Sequence, residues 1–88
     1  MNRTEFYEIV KKEKLDKYPV GDSKNVAITP YVVGCVCIDG DWCVYENDER
    51  GSTNIISKYE SEEEGLKELL RILRMKKRKD ELMRKIRR

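Results

Sequence analysis

The sequence predicts an α+β domain: an N-terminal helix, then an antiparallel meander of three to four strands, then a long C-terminal helix. Three observations predict it. Two β-branched and aromatic runs, Tyr31–Ile38 and Asp41–Tyr45, flank Asp39-Gly40. Asp-Gly in that setting signals a hairpin, because a type I′ turn needs positive φ at both central residues. Ser61-Glu-Glu-Glu64 reads as an N-cap with its capping box. Leu66, Leu69, Leu70 and Leu73 then recur at i, i+3, i+4, i+7, the stripe of a helix docked on a sheet.

The first helix is predicted over residues 4–15. Asn2 with Glu5 reads as a capping box, and Thr4 is a rival N-cap. Phe6, Ile9 and Val10 share one face, with Glu8, Lys11, Lys12 and Glu13 outside. Leu15 falls off the stripe and is expected to anchor the helix end. Tyr18–Asn25, holding Pro19 and Gly21, reads as a loop. Val26-Ala-Ile-Thr29 reads as a short edge strand, ended or bulged at Pro30, which cannot donate to a ladder.

Counting outward from the turn sets the hairpin register: Ile38 faces Asp41, Cys37 faces Trp42, Val36 faces Cys43, Cys35 faces Val44 and Gly34 faces Tyr45. Alternation puts Tyr31, Val33, Cys35, Cys37, Trp42 and Val44 on one face, the better candidate for the core. Val32, Val36, Ile38, Cys43 and Tyr45 share the other, with a gap at Gly34 opposite the Tyr45 ring. That second face is either covered by another element or offered to a partner. Asn47–Ser52 is a polar turn with Gly51 available for positive φ. Thr53–Tyr59 is the next strand.

Beyond Leu73 the last helix changes character. Met75, Leu82, Met83 and Ile86, with Ile72, lie nearly opposite the four leucines at 100° per residue. Either the chain bends near residues 76–80, with Asp80 as a new N-cap, or the distal stripe packs on something else. A second copy, a partner and the domain's own other face are the options.

Eighty-eight residues make one domain, and 39% hydrophobic content suffices for a single core. Charged residues make up 41%, against about a quarter in ordinary domains, so a thin core lies under a charged skin. Residues 74–88 hold nine Lys or Arg against two acids, +7, while residues 1–73 hold ten against fifteen, −5. The division expected is an acidic globular part, 1–75, and a basic amphipathic helical extension, 76–88. The polar N-terminus has no apolar h-region, and no apolar run approaches the roughly 20 residues of a membrane span. A soluble, cytoplasmic chain is expected.

Catalysis is not expected. The chain has no histidine, the usual general base, and no phosphate-cradling glycine loop. Glu46, Asp48 and Glu49 sit in or beside a turn with no pocket evident. Cys35, Cys37 and Cys43 lack Cys-x-x-Cys spacing, and an odd count without a signal peptide argues against disulfides. They read as small buried hydrophobes. No metal and no cofactor are expected.

Two charged constellations remain. Asp39, Asp41, Glu46, Asp48 and Glu49 concentrate around two loops of the sheet, with Asp22 a further candidate. They are either ordinary turn polarity or a surface matched to a basic partner, with Trp42 and Tyr45 as anchor-type residues nearby. Lys76, Lys77, Arg78, Lys79, Arg84, Lys85, Arg87 and Arg88 are either a solvated tail, phosphate contacts, or the polar side of a membrane-surface or partner-binding helix. The tail has no aromatic residue for base stacking, which weakens single-strand or sequence-specific binding.

Gly34, Asp39-Gly40-Asp41-Trp42, Val44-Tyr45-Glu46, Asp48-Glu49-Arg50-Gly51 and Tyr59-Glu-Ser-Glu-Glu-Glu64, leading into Leu69-Leu70, form a pattern over residues 31–73, just under half the chain. It resembles small immunity proteins of bacterial polymorphic toxin systems, including those of contact-dependent inhibition. The chain departs from the pattern at Gly65, where such proteins often have alanine, and the basic tail lies outside it. The resemblance implies a cytosolic antitoxin that binds and occludes one cognate toxin, often a nuclease, without catalysis. It implies Trp42 and Tyr45 as structural or anchor residues and Glu46, Asp48, Glu49 and Arg50 as an exposed motif; Arg50 pairing with one of those acids is the alternative. Two other readings stand beside it. One is a nucleic-acid-associated accessory protein acting through Lys76–Arg88, and the other a structural homodimer through Met75, Leu82, Met83 and Ile86.

Overall fold

A computed structural model describes residues 1–86 of the chain. Helix α1 (Arg3–Lys12) starts where Asn2 Oδ1 accepts a 2.8 Å hydrogen bond from the Glu5 amide, so Asn2 and not Thr4 is the cap. The helix ends three residues before the predicted 15. Lys14 takes the left-handed conformation (φ +59), and the Leu15 amide reaches back to the Val10 carbonyl at 2.8 Å. This αL ending turns Leu15 fully into the core, where it anchors the helix end.

The sheet has three antiparallel strands, β1 (Val33–Ile38), β2 (Asp41–Asn47) and β3 (Thr53–Tyr59), in that spatial order. Every hairpin pair counted from the turn is present, from Ile38 with Asp41 to Gly34 with Tyr45. Asp39 (φ +51) and Gly40 (φ +87) both take the positive φ of the predicted turn. Between β2 and β3 the register slips at Val44/Tyr45: Val44 pairs with Ser57 and Tyr45 with Ile55, leaving Ile56 as the bulged residue.

No strand forms at Val26–Thr29. The backbone there is taken up by side chains of β2, which leaves nothing for a ladder. The Ala27 amide donates to the Tyr45 hydroxyl (3.0 Å), and Asn47 Nδ2 donates to the Ala27 and Thr29 carbonyls (2.8 and 2.9 Å). The outer edge of β1 is met instead by a parallel bridge from Val20 to Val33. Val26 and Ala27 pack on Val32, Val36 and Tyr45, so the second sheet face is covered around Tyr45 while Ile38 and Ile55 stay exposed.

Helix α2 (Glu62–Ile86) is capped by Ser61, whose Oγ accepts from the Glu64 amide at 3.3 Å and donates to the Glu64 carboxylate at 3.1 Å. Leu66, Leu69, Leu70 and Leu73 are buried against Val33, Cys35 and Val44 of the sheet, Phe6 and Val10 of α1, and Leu15 just beyond it. Burying each of these leucines contributes about 1.5–3 kcal/mol. Gly65 sits where a Cβ would overlap Cys35 Sγ, so an alanine here would push the helix off β1. Arg3 ties the three elements together, donating to the Cys35 carbonyl (2.9 Å) and to Glu62 (3.1 Å).

The helix runs unbroken through residues 76–80, and Asp80 is an interior helical residue rather than an N-cap. Ile72 leaves the distal stripe and joins the core. None of the described helices is long and apolar enough to cross a membrane.

Candidate functional site

The acidic residues do not form one patch, because β2 separates them. Asp39 and Asp41 stand at its start, and Glu46, Asp48, Glu49 and Arg50 at its end. At about 3.4 Å per residue, Asp41 and Asp48 are about 24 Å apart. Asp48 works inside its own turn: its Oδ1 accepts from the Arg50 and Ser52 amides (2.8 and 2.9 Å), and its carbonyl from Gly51 (3.1 Å). Arg50 therefore meets Asp48 through its backbone, and among the described residues its guanidinium forms no ion pair. Asp39, Asp41, Asp48 and Glu49 are exposed, whereas the half-buried Glu46 carboxylate lies 3.7 Å from Lys76 Nζ. Asp22 caps its own loop, and the Asn25 and Lys24 amides hold its carboxyl below the usual carboxylate range.

Tyr45 is wholly buried, so of its two implied roles the structure gives it the structural one. Trp42 is half-buried against the helix-side core. Asn47, which nothing in the sequence pattern singled out, is 1% exposed and makes three side-chain hydrogen bonds, the third with Thr53 at 2.8 Å. The sequence places Asn47 as the first residue of the polar turn, whereas it is the last residue of β2.

The basic residues of α2 divide between two sides. Lys77 Nζ donates to the Glu13 carbonyl (2.7 Å), and Arg74 grips the Glu13 carboxylate through two nitrogens (2.8 and 2.6 Å), which holds that carboxyl below its ordinary range. Tyr18 donates its hydroxyl proton to Asp80 at 2.5 Å. Lys77, Asp80 and Arg84 thus continue the azimuth of Leu66 and Leu73, and the inward side of the helix becomes polar once it leaves the core. Arg78, Lys79 and Lys85 lie away from that side, among Met75, Leu82, Met83 and Ile86, which are 56, 53, 42 and 75% exposed. Arg87 and Arg88 lie outside the described residues.

Between α2 and the sheet lies an open groove of about 370 Å³. Ile56, Ile72 and Met75 are its apolar lining, and Glu46, Arg71, Lys76 and Lys79 its charged lining. The β-bulge aims Ile56 into it.

Cys35 and Cys43 are buried, as the sequence predicts, but Cys37 is exposed because α2 begins short of that end of the hairpin. Burial pushes the Cys35 thiol up to about 11, an inert setting for a nucleophile. Among the described residues, no group of three or more Cys, Asp or Glu side chains is placed to hold a metal ion. Set against protein-family models, curated proteins and solved structures, the chain matches none.

Proposed function

We propose that this chain is an immunity-type protein: a preformed domain that binds one cognate toxin, a nuclease domain, in the bacterial cytoplasm and blocks it by occupation, without catalysis. The supporting observation is that exposed carboxylates stand on two turns whose backbones are already fixed. Asp39-Gly40 holds one turn by its positive φ pair, and Asp48 holds the other by its amide bonds. A preformed surface loses little conformational entropy on binding. A nuclease site is basic because it grips phosphate, and residues 1–73 carry −5. The span of about 24 Å between the turns suits a standard interface of about 800 Å² per partner.

The test begins with the gene neighbourhood, where a gene whose product ends in a toxin domain is expected beside this one and a lone gene counts against the reading. Survival of bacteria expressing that domain is then compared with and without this chain. Rescue by the wild-type chain, lost in D41K/E49K at unchanged circular dichroism, is expected. Absence of rescue, or tighter binding of the purified chain to RNA or DNA than to the toxin, overturns the reading. The rival nucleic-acid reading draws on the outward Arg78, Lys79 and Lys85. Phosphates gain nothing from the exposed Leu82 and Ile86 between them, which favours a protein partner.

A further inference from the structure

We propose that the outward face of α2 beyond Ile72 is a docking surface for an acidic amphipathic helix of a partner protein. This surface is distinct from the acidic turns, and its test stands whether or not the immunity reading holds.

The first observation is an inversion of polarity along one unbroken helix. Up to Leu73 the apolar side faces the domain. Beyond it the inward side chains are Lys77 and Asp80, tied to Glu13 and Tyr18, while Leu82 and Ile86 face away and Met75 lines the edge of the groove with more than half of its surface exposed. Their stripe therefore does nothing for this domain's own core.

The second observation is spacing. Met75, Lys79, Leu82 and Ile86 follow one another by steps of four, three and four, the a and d positions of a heptad seam that continues outward from the core residue Ile72. The seam starts in the groove lined by Ile56 and Ile72 and runs outward, so a second helix laid along it enters an existing recess.

Charge selects the occupant. The residues flanking the seam are Arg71, Arg78 and Lys85 on one side and Lys76 on the other, and Lys79 lies within it. Glu68 and Glu46 attend Arg71 and Lys76, whereas Arg78, Lys79 and Lys85 form no ion pair among the described residues. A second copy laid antiparallel would set these cations against one another, and a parallel one would set Arg71 against Lys76. The outward side of the proximal helix offers Glu64, Lys67, Glu68 and Arg71, with no aliphatic side chain to receive Leu82 or Ile86. Membrane-surface helices carry a wide apolar side with Trp or Phe, whereas this seam is narrow, interrupted by Lys79 and free of aromatics. A helix with apolar a and d residues and Glu or Asp beside them satisfies both the seam and its rim, with a carboxylate opposite Lys79.

The probe is a synthetic three-heptad peptide with leucine at a and d and glutamate at e and g, titrated calorimetrically into the full chain. A permuted peptide of the same composition is the control. The expected result is binding at least about tenfold tighter than the control, weakened by salt and lowered about tenfold by L82D/I86D. R78E/K85E should turn the preference toward a lysine-for-glutamate peptide. Equal binding of both peptides, or unchanged binding by either variant, overturns the proposal. So does sedimentation as a dimer that L82D/I86D disperses, or tighter binding to phosphatidylserine vesicles than to the peptide.

Discussion

The Tyr45 ring occupies the volume in which a side chain at residue 34 would stand: a Cβ built on Gly34 falls 2.6 Å from the ring's Cε1, Cζ and hydroxyl oxygen. The two residues are directly paired across β1 and β2, and the ring is held at its far end by the Ala27 amide. Gly34→Ala is therefore an overpacking change with no room to relax. It is expected to cost about 1–3 kcal/mol, read as a lower thermal midpoint by circular dichroism.

Asn47 replaces the missing fourth strand. Its amide nitrogen donates to two carbonyls of the 26–29 segment, and its oxygen accepts from Thr53. Asn47→Ala removes hydrogen bonds to two part-buried carbonyls and to Thr53, and is expected to cost about 1–2 kcal/mol in urea unfolding. The 26–29 segment should also loosen, seen as hydrogen exchange of the Ala27 amide accelerated more than that of the hairpin amides.

These residues also mark where the sequence stops being legible. The hairpin was readable to the individual pair because Asp39-Gly40 imposes a turn and side-chain alternation does the rest, both local effects. The gap at Gly34 beneath Tyr45 followed from that register. Residues 26–29 carry equally good strand composition, yet their backbone is claimed by Tyr45 and Asn47 from eighteen and twenty residues away. Local propensity does not register that competition. The two opposed stripes of α2 were readable from spacing, but the choice between a bend and a straight helix lay in distant contacts at Glu13 and Tyr18. The division of the acids between two loops was readable from the same hairpin register, and an extended β2 carries the two groups apart.

Tyr18 makes the domain sensitive to alkali. Burial, and then the hydrogen bond to Asp80, push its hydroxyl up to about 12 from the ordinary 10. A raised pKa in the folded state means that the unfolded chain loses this proton first. The contribution is complete below pH 10 and falls as the pH rises toward 12. Tyr18→Phe should flatten the loss of stability between those values relative to wild type, measured by urea midpoints at stepped pH. Equal slopes for the two proteins would detach Tyr18 from the effect.

The three cysteines should separate kinetically, although they lie within one hairpin. Cys35 is sealed between Gly65 and the sheet with its thiol pushed up to about 11, and Cys43 is buried on the other face. Cys37 shares a face with Cys35 but lies past the N-terminus of α2, where nothing covers it. A disulfide reagent such as Ellman's should consume one thiol rapidly from the native chain, and the other two only as the domain opens, because the thiolate must form and be reached. Cys37→Ser should remove the fast phase with little effect on the thermal midpoint. If Cys35 also reacted in the fast phase, the seal that Gly65 permits between helix and sheet would be open in solution.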